Sequence, residues 1–164
     1  GEGFHTGQAA IFCRFTGCNL WSGREEDRHK AICQFCDTDF VGMDGELGGR
    51  YTAKSLVELI RSLWPDPSSP CFVVFTGGEP ALRKDLPEII SICKQTQGIK
   101  KVAITSNGFN LPEHLPHWLD AGIDAINISI DSLDPRQFLA ITGHNKLERI
   151  LKGVDIQQFF FVFN

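Results

Sequence analysis

The sequence has no apolar run approaching the roughly 18 or more residues of a membrane-spanning helix, and no charged-then-apolar leader precedes its first motif. A basic surplus is missing too: 16 lysines and arginines face 20 acids, giving a net charge of −4, and no run of like charges exceeds three. Neither a nucleic-acid surface nor a membrane surface is expected, and a cytoplasmic protein is. Low-complexity segments are absent, and no repeat is visible beyond an alternation of strand and helix patterns. With 164 residues, 42% of them hydrophobic, the chain is long enough for a single domain over 1–164. Both ends read as cut. The chain opens on Gly1-Glu2-Gly3 without a methionine and stops at Asn164, within an apolar run (159–163) that reads as a strand in progress.

Residues 9–15 suit a strand, and 19–50 form a long Gly-rich loop carrying most of the cysteines, a length usually reserved for function or disorder. Leu56, Leu59, Ile60 and Leu63 then recur at helical spacing, with Pro65 and Pro67 ending the helix. Short apolar strands at 72–75, 102–104 and 125–130 alternate with helices marked by Leu86, Ile89, Ile90 and Cys93, by Leu115, Trp118 and Leu119, and by Leu147, Ile150, Leu151 and Val154. Strands apolar on both faces and separated by helices predict an α/β fold with a parallel sheet. Each strand turns polar at its C-terminal end: Thr76-Gly77-Gly78-Glu79, Thr105-Ser106-Asn107-Gly108, then Ser129 and Asp131. That edge is where open sheets and barrels bind ligands, so a shared mouth is expected; ordinary caps and turns are the plainer alternative.

Four of six cysteines crowd into Cys13-x4-Cys18-x14-Cys33-x2-Cys36, while Cys71 and Cys93 sit in apolar periodic segments as buried thiols. The clustering favours a metal or redox site over disulfides. Structural zinc and an iron–sulfur cluster both suit such a set. Strand parity turns Cys13 to the side of Ile11 and Phe15, opposite Phe12 and Arg14, so Cys13 is expected in the core. Three thiolates would leave one iron of a four-iron cluster open to a cofactor.

The segments 1–7, Phe12-Cys13-Arg14-Phe15-Thr16-Gly17-Cys18-Asn19-Leu20-Trp21 and Cys33-Gln34-Phe35-Cys36-Asp37-Thr38-Asp39-Phe40 resemble the 7-carboxy-7-deazaguanine synthase family. These are radical S-adenosylmethionine (SAM) enzymes of queuosine biosynthesis, some of which carry the x14 insertion. The likeness in these motifs covers about residues 1–80. It implies an incomplete (β/α)6-type barrel and a lyase that reductively cleaves SAM to a 5′-deoxyadenosyl radical at a [4Fe–4S] cluster held by Cys18, Cys33 and Cys36. It further implies that Phe35, Cys36 and Asp37 border SAM, that Gly1, Glu2 and Arg14 contact substrate, and that Thr38 ligates Mg²⁺. The implied reaction is Mg²⁺-dependent ring contraction of 6-carboxytetrahydropterin to 7-carboxy-7-deazaguanine. An electron donor such as flavodoxin and a homodimer are implied as well. By itself Arg14 reads either as a lumen cation needing an anionic ligand or as a surface residue, and Thr38 as a turn residue.

Thr76-Gly77-Gly78-Glu79-Pro80, between a strand and a helix, lets backbone approach a ligand closely, with free N–H and C=O groups available to it. Beside the cysteines it resembles the radical SAM segment that receives the SAM amino group, with Gly77 and Gly78 at the contact and Glu79 as supporting acid. From here the likeness also runs to another radical SAM family. Ala81-Leu82-Arg83-Lys84-Asp85-Leu86, Ala103-Ile104-Thr105-Ser106-Asn107-Gly108-Phe109, Asn127-Ile128-Ser129-Ile130-Asp131-Ser132-Leu133-Asp134 and Ile141-Thr142-Gly143 resemble the GTP 3′,8-cyclases of molybdenum-cofactor biosynthesis over about 76–156. That likeness implies that Ser129 contacts SAM and that Thr76 and Thr105 line a purine substrate. Val74, however, stands where the cyclases carry a GTP-binding arginine. A switch at a motif both families share is what a fused, recombined or misassembled coding sequence would give. A non-catalytic zinc-binding domain is the alternative from outside enzymology.

Overall fold

The structure, a computed structural model, describes residues 7–154 together with the backbone of 161–163. Its strands are β1 (Ile11–Phe15), β2 (Cys71–Gly77), β3 (Ile99–Ser106), β4 (Ala125–Ile128) and β5 (Phe161–Phe163). Every neighbouring pair is parallel and the order is sequential, β1 to β5. Between them lie α1 (Ala53–Leu63), α2 (Leu86–Gln95), α3 (Leu111–Asp120), α4 (Pro135–Thr142) and α5 (Leu147–Val154). Sequential parallel strands joined by helices form a barrel wall short of closure, so the incomplete (β/α) barrel is borne out. Among the described residues no helix is long and apolar enough to cross a membrane.

Alternation within the strands divides the sheet into two faces. Cys71, Val73, Phe75, Val102, Ile104, Ile126 and Ile128 pack with the buried sides of the helices in one large core. Phe72, Val74, Ala103 and Ala125 form a second, smaller cluster on the opposite face. Cys13 joins Ile11 at the margin of the large core, as strand parity requires, while Phe12 on the other face is exposed. Helix α1 starts where the Thr52 side chain accepts the Ser55 N–H, and it stops at Trp64, ahead of Pro65.

One boundary and two elements differ from expectation. β4 ends at Ile128, which leaves Ser129 and Ile130 beyond the strand. Helix α4 was not anticipated from periodicity; local chemistry makes it, since Asp134 accepts the N–H groups of Arg136 and Gln137, Pro135 opens it and Gly143 closes it at φ 70°. The loop 19–50 also contains a 3-10 helix, Glu25–Lys30.

Candidate functional site

Register carries the C-terminal strand ends into one row. Arg14 pairs with Thr76 and Thr105 with Asn127, while Thr76 lies one step beyond the Phe75–Ile104 pair. All four share the face turned away from the helices, above an apolar row of Phe12, Val74, Ala103 and Ala125. The Asn127 amide is buried and donates to Thr105 Oγ1 at 3.3 Å. Sequence reasoning missed Asn127; two-residue parity with Ala125 was the signal.

Beside this row opens a cleft of about 480 Å³. The thiols of Cys18, Cys33 and Cys36 line it, together with Phe35, Asp37 and Thr38. From the strand ends come Arg14, Thr76, Gly77, Gly78, Thr105 and Ser129. Glu79 does not line it, and Gly1 and Glu2 lie outside the described residues.

Backbone contacts fold the cysteine loop onto itself. Leu20 O accepts the N–H groups of Ile32 at 2.9 Å and Cys33 at 3.3 Å, and Leu20 N–H points at Cys18 Sγ at 3.4 Å. Asn107 Nδ2 donates to Asn19 Oδ1 at 2.8 Å, tying the loop to the end of β3. Burial pushes the Cys33 thiol up to about 11, and the charges of Cys36, Asp131 and Cys18 add to it. Burial also raises Cys18, opposed by the N–H groups of Leu20 and Trp21. The three thiols therefore lie within electrostatic reach of one another, and a metal binding them must displace protons. Yet among the described residues no three His, Cys, Asp or Glu side chains gather around one ion-sized point.

The glycine pair works differently from the sequence expectation of freely available N–H groups. Gly78 N–H donates to Phe15 O at 2.9 Å and Glu79 N–H to Gly17 O at 2.8 Å, locking this turn to the entry of the cysteine loop. Gly77 has φ 105°, and a Cβ on it would stand 2.5 Å from Phe15 O; one on Gly78 would run into the Gly17 carbonyl. The close approach is thus to the protein's own loop. The Glu79 carboxylate accepts from Ala81 N at 3.0 Å, Ser106 Oγ at 2.8 Å and Asn107 N at 2.7 Å. Burial raises its pKa and those three donors pull it back down.

Aromatic groups form part of the cleft lining. His144 sits edge-on to Phe109 and to Phe138, with ring centroids 4.8 and 5.5 Å away, and all three line the cleft. Trp21, which also lines the cleft, meets Phe40 edge-on at 5.7 Å. Among the described residues Trp21 Nε1 and His144 Nδ1 are the buried side-chain polar atoms without a partner. Both belong to residues of this cleft, and leaving such groups unpaired costs about 1–3 kcal/mol each.

Fold and site together define a partial (β/α) barrel with a thiol-lined cofactor mouth at the C-terminal edge of its strands. The chain belongs to the radical SAM superfamily, whose match spans residues 28–157. It is 55% identical over 152 residues to a 7-carboxy-7-deazaguanine synthase of Burkholderia multivorans, covering 92% of this chain and 66% of that one. It is 40% identical over 123 residues to a GTP 3′,8-cyclase of Vibrio vulnificus, covering 75% of this chain and 36% of the relative. Stretches that long cannot meet end to end at residue 80, so both likenesses cross it. A solved structure of BtrN in complex with AdoMet and 2-DOIA superposes with a TM-score of 0.56 at 18% identity, over 96% of this chain and 58% of that chain. The chain thus spans only about a third to two thirds of these relatives. Membership of the superfamily implies a [4Fe–4S] cluster and SAM.

Proposed function

We propose that this chain is the core of a 7-carboxy-7-deazaguanine synthase, with Cys18, Cys33 and Cys36 as cluster ligands. The observation that carries the reading is the convergence of those three thiols on one cleft with Arg14, Thr76 and Thr105 at its strand rim. When bound, the cluster supplies the electron that cleaves SAM. The chain's own residues position and enclose. Phe35, Asp37 and Ser129 border the cofactor, Gly77 and Gly78 offer carbonyls to its amino group, and Glu79 holds that turn. Arg14 offers a cation to the substrate carboxylate, while Thr76 and Thr105 offer hydroxyls to its ring. Thr38, which lines the cleft, would give Mg²⁺ one hard protein oxygen. Gly1 and Glu2 complete the substrate contacts by family likeness. A single domain, a cytoplasmic setting, a flavodoxin-type electron donor and a homodimer belong to the same reading.

The cyclase reading comes second. Val74 is fully buried directly beneath Thr76, where an apolar side chain gives a triphosphate nothing to pair with. The test is anaerobic reconstitution with iron and sulfide, followed by incubation with SAM, reductant and either 6-carboxytetrahydropterin or GTP. A brown protein that turns over the pterin supports the proposal. Turnover of GTP alone selects the cyclase, and a colourless, inert zinc protein overturns both.

A further inference from the structure

The insertion between Cys18 and Cys33 folds as the 3-10 helix Glu25–Lys30, and its Arg28 reaches back to the paired cysteines. Arg28 Nη1 donates to Gln34 O at 2.6 Å and to Cys36 O at 3.1 Å. Nε and Nη2 both engage the Glu25 carboxylate, Nε at 2.7 Å. The guanidinium carbon stands 4.1 Å from the centroid of Trp21, itself buried in the cleft wall. One planar group thus grips two carbonyls of the Cys33–Cys36 segment, stacks on the cleft wall and ties both to the insertion. Lysine, a point charge on a flexible stem, cannot reproduce that fork.

We propose that Arg28 is a positioning residue for the cluster: it holds the Cys33–Cys36 segment in its ligating shape and keeps a fixed positive charge beside it. The inference rests on the reading of Cys18, Cys33 and Cys36 as ligands. Reduction adds a negative charge to the cluster, so a nearby cation favours the reduced state. Glu25 offsets part of this, and it is 75% exposed, so solvent weakens its effect.

The test uses the full chain with R28K, R28M and E25Q, and two readouts besides turnover. Hydrogen exchange of amides 33–37 is followed before reconstitution, and the cluster midpoint potential is followed by EPR after it. R28M is expected to speed exchange at least tenfold and to move the potential negative. R28K should speed exchange similarly while keeping a potential near the parent's. E25Q, which leaves both carbonyl contacts in place, should move the potential positive and stays informative should R28M fail to fold. Parental exchange in both R28K and R28M, or an unmoved potential in both R28M and E25Q, overturns the inference. Iron content of the cysteine variants is measured first. Undiminished iron there sinks the ligand reading itself, whereas iron lost there with Arg28 variants like the parent sinks only the role of Arg28.

Discussion

Ser106 Oγ donates to Glu79 Oε1 at 2.8 Å, joining the turn after β2 to the end of β3 beneath the mouth of the cleft. Ser106 Oγ also accepts from Gly108 N at 3.0 Å, and Glu79 is 3% exposed. Glu79→Gln aims an amide donor at a site furnished with donors. It should cost about 1–3 kcal/mol, and Ser106→Ala about 1 kcal/mol. Denaturant melts of both variants check this, and equal stability of Glu79→Gln and parent would contradict the latch.

Gly78→Ala tests the contact between the glycine turn and the cysteine loop. The added methyl must push the Gly17 backbone aside, one residue from Cys18. Overpacking of this kind costs roughly 1–3 kcal/mol. Thermal melting should fall and iron incorporation with it; a variant with parental iron and parental melting shows that the turn yields freely.

The four clustered cysteines should separate into two kinds. Cys13 packs at the margin of the core, and burial pushes its thiol up to about 11. Cys13→Ala should keep the parent's iron per chain and lose about 1 kcal/mol or less of stability, the side chain being small and only half-buried. Cys18→Ala, Cys33→Ala and Cys36→Ala should each lose most of the iron. Iron analysis after anaerobic reconstitution decides.

Much of this was legible in the sequence because it follows from period and parity. Alternation along residues 11–15 sent Cys13 inward, and apolar runs ending in Thr76 and Thr105 marked the rim. What was not legible depends on contacts distant in sequence or on caps. Arg28 reads as one charge among seven polar residues until the loop folds and brings Gln34 and Cys36 to it. The wall of Phe109, Phe138 and His144 needs the turn between α4 and α5, and periodicity did not reveal α4. The Gly78 N–H read as open to ligand because nothing local shows Phe15 O beside it.

Arg83 and Asp85 set a pH-dependent contribution away from the cleft. Arg83 Nε meets Asp85 Oδ1 at 2.7 Å and Nη2 meets Oδ2 at 3.0 Å, which holds the carboxyl below its ordinary 3.8. Its folded value lies below its unfolded one, so the stabilisation is present above pH 3.8 and is lost as pH falls through the folded value. The pair is partly exposed, so about 1 kcal/mol or less is expected. Asp85→Asn should therefore melt below the parent at pH 7, and the gap should close in acid. A gap that persists undiminished in acid would point to packing instead.

Arg14 carries the substrate reading most directly. It borders the cleft in register with Thr76, and among the described residues it has no ion-pair partner. A charge-assisted contact to a carboxylate contributes about 1.5–3 kcal/mol, or roughly 10- to 100-fold in KM. Arg14→Met should therefore raise KM for 6-carboxytetrahydropterin by that factor, with Arg14→Lys falling between because it keeps charge and loses the fork. Neither should slow SAM cleavage without substrate, since Arg14 is on the strand rim and the thiols are on the loop. Asn127→Leu, with the buried amide gone from beside Thr105, should raise KM without touching the carboxylate contact. Decarboxylated substrate analogues separate the two: the penalty of Arg14→Met should vanish with them and that of Asn127→Leu should remain. Equal penalties on both substrates would remove Arg14 from the carboxylate and return it to the surface.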